Sequence, residues 1–421
     1  MSDISERLGS GVLTATQLIE ALRISPATLS RRLREEPQGV LRIGRGRATR
    51  YGLIRPSPSL SDTRFPLTRI NEDGRATSAG ELVTLAARQT TWLPSGEVVD
   101  GLPVEIADAS PTGFLGQLFA REHADLGVPS RTSDWSDHHV LLAVSRRGED
   151  LPGNLIVCRE SLDRWYGSRI RMMTPENYPE LADTTLTGLA IGSSAGGERP
   201  KFGAYADGRH VLVKFAGRAG ADDSPAQRWR DLLTLEALAL DVLKEHNVPA
   251  ARAQLFSAET HKFLEVERFD RVGERGRRAV MTLAAVHQEP ADSWSQAALH
   301  LLEARTISAG DARRLRLLDA FGALIANTDR HHHNVVFFPT QTGYTLAPAF
   351  DQLPMLYAPG GDGSVPAREF PQPRPAAETL DVWDEARSLA LIFWNNASDG
   401  PTVSDGMRRI AAANARALSA S

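Results

Sequence analysis

The chain has 421 residues, 42% hydrophobic and 24% charged, about three domains at ~150 residues each and enough for large buried cores. One cysteine, Cys158 in the apolar setting LIVC, excludes an internal disulfide framework and a cysteine-rich zinc site, and reads as a core residue; no apolar run approaches the ~18 residues of a membrane span. The formal charge of −4 conceals an asymmetry: residues 1–55 hold ten arginines against five acids, a net of +5, so the remainder carries −9. A basic end on an otherwise acidic chain points to nucleic-acid contact through that end. The polar start MSDISERLGS is unlike a signal peptide, and the cytoplasm is the expected compartment.

Residues 14–22 (TATQLIEAL) predict a short amphipathic helix with a Thr cap, and Ser25-Pro26 predicts the cap and first residue of a second helix. That helix places Leu29 and Leu33 on one face and Thr28, Ser30, Arg31, Arg32 and Arg34 around the other. Next, VLRIGRGRATRYGLI alternates like a hairpin, with Arg45 at a Gly44-Arg45-Gly46 tip and Arg42, Arg47 and Arg50 along it. The segment resembles a winged helix-turn-helix DNA-binding domain over 1–55, with groups suited to phosphates and base edges. Arginine contacts phosphate without selecting sequence, so no operator follows.

Residues 56–61, Pro- and Ser-rich, read as a linker. From Thr63 to about Asp183, strand-like PLTRI, TWLPSG and HHVLLAV alternate with helical GFLGQLFARE, predicting a mixed α+β subdomain. His138-His139 precedes an expected apolar strand and lacks the spaced carboxylate or cysteine of a metal site. Trp135, Trp165 and Tyr166 read as packing groups.

A glycine-rich turn follows, IGSSAGGERPK, in which Gly196, Gly197, Glu198, Arg199, Pro200 and Lys201 can let backbone approach a phosphate and neutralise it. FGAYADGRHVLVKF is a hairpin over Asp207-Gly208 that ends near Lys214, where a phosphate-binding lysine would sit. Glu236 is the carboxylate in an otherwise apolar helical stretch, placed to pair with Lys214 and orient it. HKFLEVERFDR gives a strand whose exit, at Glu267 and Phe269, offers main-chain N–H and C=O groups to an adenine edge. Two helices, around SWSQAALHLLEA and DARRLRLLDAFGALIAN, lead into LIANTDRHHHNVVFFPTQTGYTLAPAFD. There a strand from Asn334 to Pro339, a Gly343 turn and a strand from Tyr344 to Leu346 bring Asp329, Asn334 and Asp351 to one end of a hairpin. A carboxylate five residues before a carboxamide, then a second carboxylate after the next strand, suits phosphoryl transfer. The first acid accepts the attacking hydroxyl's proton, and the amide and second acid hold Mg²⁺.

Together GGERPK, VERFDR, NTDRHHHN and LAPAFD resemble the HipA family of serine/threonine kinases, toxins of bacterial toxin-antitoxin systems, over roughly residues 65–420. The resemblance implies an α+β, two-lobed protein-kinase-like HipA fold, with ATP and Mg²⁺ as cofactors and a protein serine as substrate. Its lobes would be 62–270, holding the α+β subdomain and the ATP-binding sheet, and a mostly helical 271–421. It makes Asp329 the base, Asn334 and Asp351 the metal ligands, Lys214 the phosphate lysine, and puts His331 where many kinases have a lysine. It also implies autophosphorylation at Ser194, with Ser193 adjacent, where added negative charge should eject the loop.

Three features depart from the family pattern. His333 replaces the basic residue common before the loop asparagine, VHQEPADSWSQAA loosens the acidic helix start, and this chain brings its own DNA-binding segment in addition to any antitoxin. Two alternatives stay open on sequence alone. The His331-His332-His333 triplet near Asp329 and Asn334 admits a metal-dependent nuclease, although neighbouring residues of a regular strand alternate sides. A kinase-like body that only senses nucleotide is the other.

Overall fold

The computed structural model describes residues 3–35, 39–58, 60–186, 200–221 and 224–420, apart from the side chain of Arg47. The chain divides into two compact units, Met1–Thr112 with Gly116–Arg169, and Gly113–Leu115 with Ile170–Ser421.

The first unit opens with helices Asp3–Leu8, Ala15–Leu22 and Pro26–Glu35, then strands Val40–Ile43 and Arg50–Leu53. The caps are those expected from sequence. Thr14 and Gln17 form a reciprocal capping box, and the Ser25 hydroxyl accepts from the Thr28 amide at 3.2 Å. Ile4, Leu8, Leu18 and Leu29 bury one small core beneath them.

A five-stranded antiparallel sheet follows, in the order Glu97–Asp100, Gln89–Leu93, Ala76–Thr84, Arg64–Ile70, Leu155–Val157. Ile54 and Arg55, just before the expected linker at 56–61, are pinned to that sheet. Ile54 bridges Leu85, the Arg55 amide donates to the Thr84 carbonyl at 3.1 Å, and the Thr84 hydroxyl donates to the Arg55 carbonyl at 2.6 Å. Leu41 and Ile43 of the hairpin share a buried cluster with Val83 and Leu85. For this reason residues 3–54 and the sheet that follows lie within one compact unit, and the two units part at residues 169/170.

Three further expectations are corrected here. HHVLLAV is part of a helix, Asp137–Arg147, and the expected strand is absent; Ser136 and His139 form its capping box. Residues Leu141 to Ser145 are all buried, so the helix has no polar face through that run to reveal a 3.6-residue period. Cys158 is half-buried and begins the helix Cys158–Gly167 at φ +66°; burial pushes its thiol up to about 11. Trp165 is buried as expected, whereas Tyr166 is 57% exposed.

In the second unit a five-stranded sheet runs Ala253–Ala258, His261–Glu267, Arg209–Ala216, Lys201–Ala206, Met172–Met173. Its central hairpin turns through Asp207 and Gly208, both at positive φ, as a two-residue turn between right-twisted strands requires. The helix Pro225–Glu245 packs on this sheet and also enters the main core through Leu235, Ala239 and Leu243. That core is completed by helices Trp294–Glu303, Ala309–Leu324, Trp383–Asp399 and Asp405–Ala420, and by a small sheet of Met281–Thr282, Val336–Pro339 and Tyr344–Leu346. The helix Pro225–Glu245 thus packs into two clusters, one with the sheet through Leu233 and Ala237 and the main core through Leu235, Ala239 and Leu243, and nearby loops carry the candidate site.

Candidate active site

Lys214 lies on the Arg209–Ala216 strand, opposite Lys201 on one neighbour and Leu264 on the other. It is 4% exposed, and its ammonium is 2.5 Å from a carboxylate oxygen of the fully buried Glu236. An ammonium and a carboxylate at such depth persist only as partners, because either alone would be expensive to desolvate. The Asp351 carboxylate also contacts the Lys214 ammonium. Asp351 sits at φ +53°, a left-handed turn that Asp tolerates better than most residues.

The helix Ala309–Leu324 ends with Ala326 at φ +59° and the Asn327 amide donating to the Gly322 carbonyl at 2.8 Å. Asn327, 1% exposed, ties the two acid-bearing loops together: its Oδ1 accepts from the Asp329 amide at 3.0 Å and its Nδ2 donates to the Asp351 carbonyl at 3.3 Å. Arg330 turns inward, donating from Nε to Asp319 at 3.0 Å and from its guanidinium to the Asn327 carbonyl. The other Asp319 oxygen accepts from the Ser295 amide at 3.0 Å and hydroxyl at 2.7 Å. A Cβ at Gly322 would stand 2.7 Å from Arg330 Cδ, so any larger residue there would push the Arg330 side chain from its place.

Asp329 stays open to solvent within this frame, with its side chain 52% exposed. Asn334 donates from Nδ2 to the Asp329 carbonyl at 2.9 Å, which turns its Oδ1 away from that carbonyl. Asn334 closes a 3₁₀ turn, His332–Asn334, and the strand expected from Asn334 begins at Val336. His331 Nε2 is 3.8 Å from an Asp329 oxygen. Partial burial lowers the His331 pKa; Asp329 opposes that shift, while His333 and Lys201 add to it. Its neutral imidazole can donate one hydrogen bond and accept another at neutral pH.

One carboxylate, Asp351, and one carboxamide, Asn334, flank the Asp329 loop. An all-oxygen donor pair of this kind suits a hard divalent cation such as Mg²⁺, which prefers to keep water in its remaining positions. The histidine triplet suits a softer ion less well than its sequence suggested. Among the described residues, the grouping of three His, Cys, Asp or Glu ligand atoms tight enough for a metal is not at the triplet.

At the strand exit, the Glu267 amide donates to the Arg252 carbonyl at 2.9 Å. That N–H belongs to the sheet and is not free for an adenine edge. Phe269 packs at 5.8 Å from Phe338 and 5.7 Å from Phe350, joining the strand exit to the acid-bearing hairpin. Of the glycine-rich turn, Pro200 and Lys201 are described, and the Pro200 carbonyl accepts from the Phe215 amide at 3.3 Å. Ser193, Ser194, Gly196, Gly197, Glu198 and Arg199 lie outside the described residues. Thr28, Ser30, Arg31, Arg32 and Arg34 sit on the Pro26–Glu35 helix of the first unit; Ser30, Arg31, Arg34 and the hairpin's Arg45 are exposed. Thr28 shares its hydroxyl with Ser25 at 2.9 Å, and Arg32 approaches Asp3 at 3.6 Å.

Sequence reasoning missed Asn327, Asp319, Ser295 and Arg330. The available signal was a lone aspartate inside LRLLDAFGAL, since a carboxylate in an apolar helix must find a partner.

The chain is similar to several known proteins. Residues 61–166 match the middle domain of YjjJ-like toxins, and residues 193–415 match the HipA-like C-terminal domain. Toxin YjjJ of Escherichia coli (strain K12) is 33% identical over 430 residues, covering 98% of this chain and 96% of that protein. HipA of Shewanella oneidensis MR-1, solved with HipB and its operator DNA, has a TM-score of 0.56 at 15% identity, covering 84% of this chain and 96% of that one. No helix among the described residues is long and apolar enough to cross a membrane. The chain therefore belongs to the HipA-like toxin family and carries the middle domain of YjjJ-like toxins.

Proposed function

We propose that this chain is an ATP- and Mg²⁺-dependent protein serine/threonine kinase of the HipA toxin type. The observation that carries the reading is Lys214 held between Glu236 and Asp351, next to a loop that fixes Asp329 and Asn334 through Asn327. Magnesium-bound ATP supplies the phosphoryl group and neutralises its developing charge when bound. Asn334 and Asp351 would hold the metal, and Lys214 and Lys201 would hold the phosphates. Asp329, exposed and anchored through its backbone, accepts the proton of the attacking serine hydroxyl. That oxygen forms its bond to the terminal phosphorus as the bond to the bridging oxygen breaks, and ADP leaves. His331 donates a hydrogen bond near the same group.

Incubation with labelled ATP and Mg²⁺ beside Asp329→Asn tests the proposal. Label transfer abolished by the substitution supports it. ATP binding without transfer would indicate a nucleotide-sensing regulator, and DNA cleavage without ATP a nuclease; either result overturns it. Autophosphorylation at Ser194, or Ser193, belongs to the same reading and predicts an inactive phosphorylated form. A Ser194→Ala protein no more active than a phosphorylated preparation counts against it.

The helices and hairpin of residues 3–53 support a second activity, winged helix-turn-helix binding of DNA through Thr28, Ser30, Arg31, Arg32, Arg34, Arg45 and Arg47. Such binding would let the chain occupy its own promoter without a separate DNA-binding antitoxin. Deleting residues 1–55 would strip cover from Val83 and Leu85, so charge substitutions are the cleaner test.

A further inference from the structure

The loosened segment after the strand exit, VHQEPADSWSQAA, brings together side chains that the phosphotransfer site does not use. His287 closes the one-turn helix Leu283–Val286 and is 6% exposed. His300 lies in the last turn of the helix Trp294–Glu303, and Glu289 stands exposed on the loop between them. The two imidazoles face each other at 5.2 Å between centroids and 27° between planes, with His287 Nε2 and His300 Nδ1 3.1 Å apart. One ligand atom from each of His287, Glu289 and His300 lies within 4.8 Å of the other two.

A plain hydrogen bond would explain the pair of nitrogens and nothing else. It needs a proton on one ring and a lone pair on the other, and gives the Glu289 carboxylate no reason to converge. A metal uses both lone pairs and the carboxylate. Bonds of ~2.05 Å in a tetrahedron set ligand atoms about 3.3 Å apart, close to the separation of the two nitrogens. Two imidazoles and one carboxylate form a borderline donor set, suited to zinc more than to magnesium.

We propose that His287, Glu289 and His300 form a binding site for a divalent transition metal of the zinc class, separate from the oxygen pair Asn334 and Asp351. The site is a clip on the Asp329 loop. The Leu283 amide donates to the Val335 carbonyl at 2.8 Å, and Trp294 Nε1 donates to the His331 carbonyl at 3.1 Å. The metal thus joins two short elements that already grip both sides of that loop.

The test uses the full chain, stripped with a chelator and titrated with Co²⁺, whose tetrahedral complexes absorb visibly. One equivalent should bind with intense visible bands, be displaced by Zn²⁺ and resist excess Mg²⁺. His300→Gln and Glu289→Gln should each weaken binding at least about tenfold, on the scale of changes around a zinc centre. Glu289 is exposed, so its variant keeps the fold, checked by an unchanged metal-free melting curve. Asp351→Asn should leave the bands unchanged. Absent bands in the unsubstituted protein, or equal Co²⁺ affinity in the Glu289→Gln protein, would overturn the site whether or not the chain transfers phosphate.

Discussion

Charge is handled in opposite ways around Lys214 in the second compact unit and on the Pro26–Glu35 helix of the first. In the second, Lys214 is buried against Glu236 at 2.5 Å, and Asp319 is 7% exposed between Arg330 and Ser295. In the first, the arginines of the Pro26–Glu35 helix meet acids only loosely: Arg31 and Glu35 are 4.0 Å apart with side chains 68% and 67% exposed. Exposed pairs of that kind contribute about 0–1 kcal/mol, so they explain little of the fold's stability. Buried pairs fix positions and cannot be broken cheaply. The difference separates charge that holds a site in shape from charge left open to solvent.

Substitutions can break this contrast. Asp329→Asn should reduce phosphotransfer on the order of 10²–10⁴-fold, the usual worth of a positioned base, with an unchanged melting curve because the side chain is half exposed. An activity loss below tenfold would remove Asp329 from its role. Glu236→Ala should cost about 3–5 kcal/mol in denaturant unfolding, since it strips a buried ammonium of a partner. A loss under about 1 kcal/mol would show that Asp351 alone satisfies Lys214.

Burial in the first unit has its own probe in Cys158. With its thiol pushed up to about 11 by burial, alkylation at pH 8 should run on the order of 10²-fold slower than for a free thiol near 8.5. The rate should rise about tenfold per pH unit toward the thiol pKa. Rapid labelling at pH 8 would show that the site is open. The smallest effects belong to the arginine surface. Arg31→Ala with Arg45→Ala should leave stability within about 0.5 kcal/mol, yet flatten the logarithmic salt dependence of DNA retention by about 0.9 for each phosphate no longer neutralised. An unchanged slope would deny these residues to DNA.

The parts legible in the sequence were those whose signal is local or whose chemistry is conspicuous. Asp207-Gly208 dictates a hairpin, Ser25-Pro26 a helix start, and Glu236 stands out because its immediate neighbours in TLEALAL are almost all apolar. The parts that were not legible depend on the chain's return in space. The helix at Asp137–Arg147 lost its period to burial, and residues 39–54 turned out to share a core with the following sheet. Asn327, Asp319 and Arg330 acquire meaning only once a helix end, a loop and Ser295 meet. His287 and His300, thirteen residues apart, face each other because a loop and a helix fold back between them.

The proposed chemistry requires one spatial arrangement: a divalent cation bound between the Asn334 amide oxygen and the Asp351 carboxylate, beside Lys214. Crystals grown with Mn²⁺ and a non-hydrolysable ATP analogue test it through the anomalous signal of manganese. The expected result is a peak bonded to both side chains and to the analogue's phosphates. Manganese bound elsewhere, or a nucleotide whose phosphates lie away from Lys214 and Asp351, would contradict it.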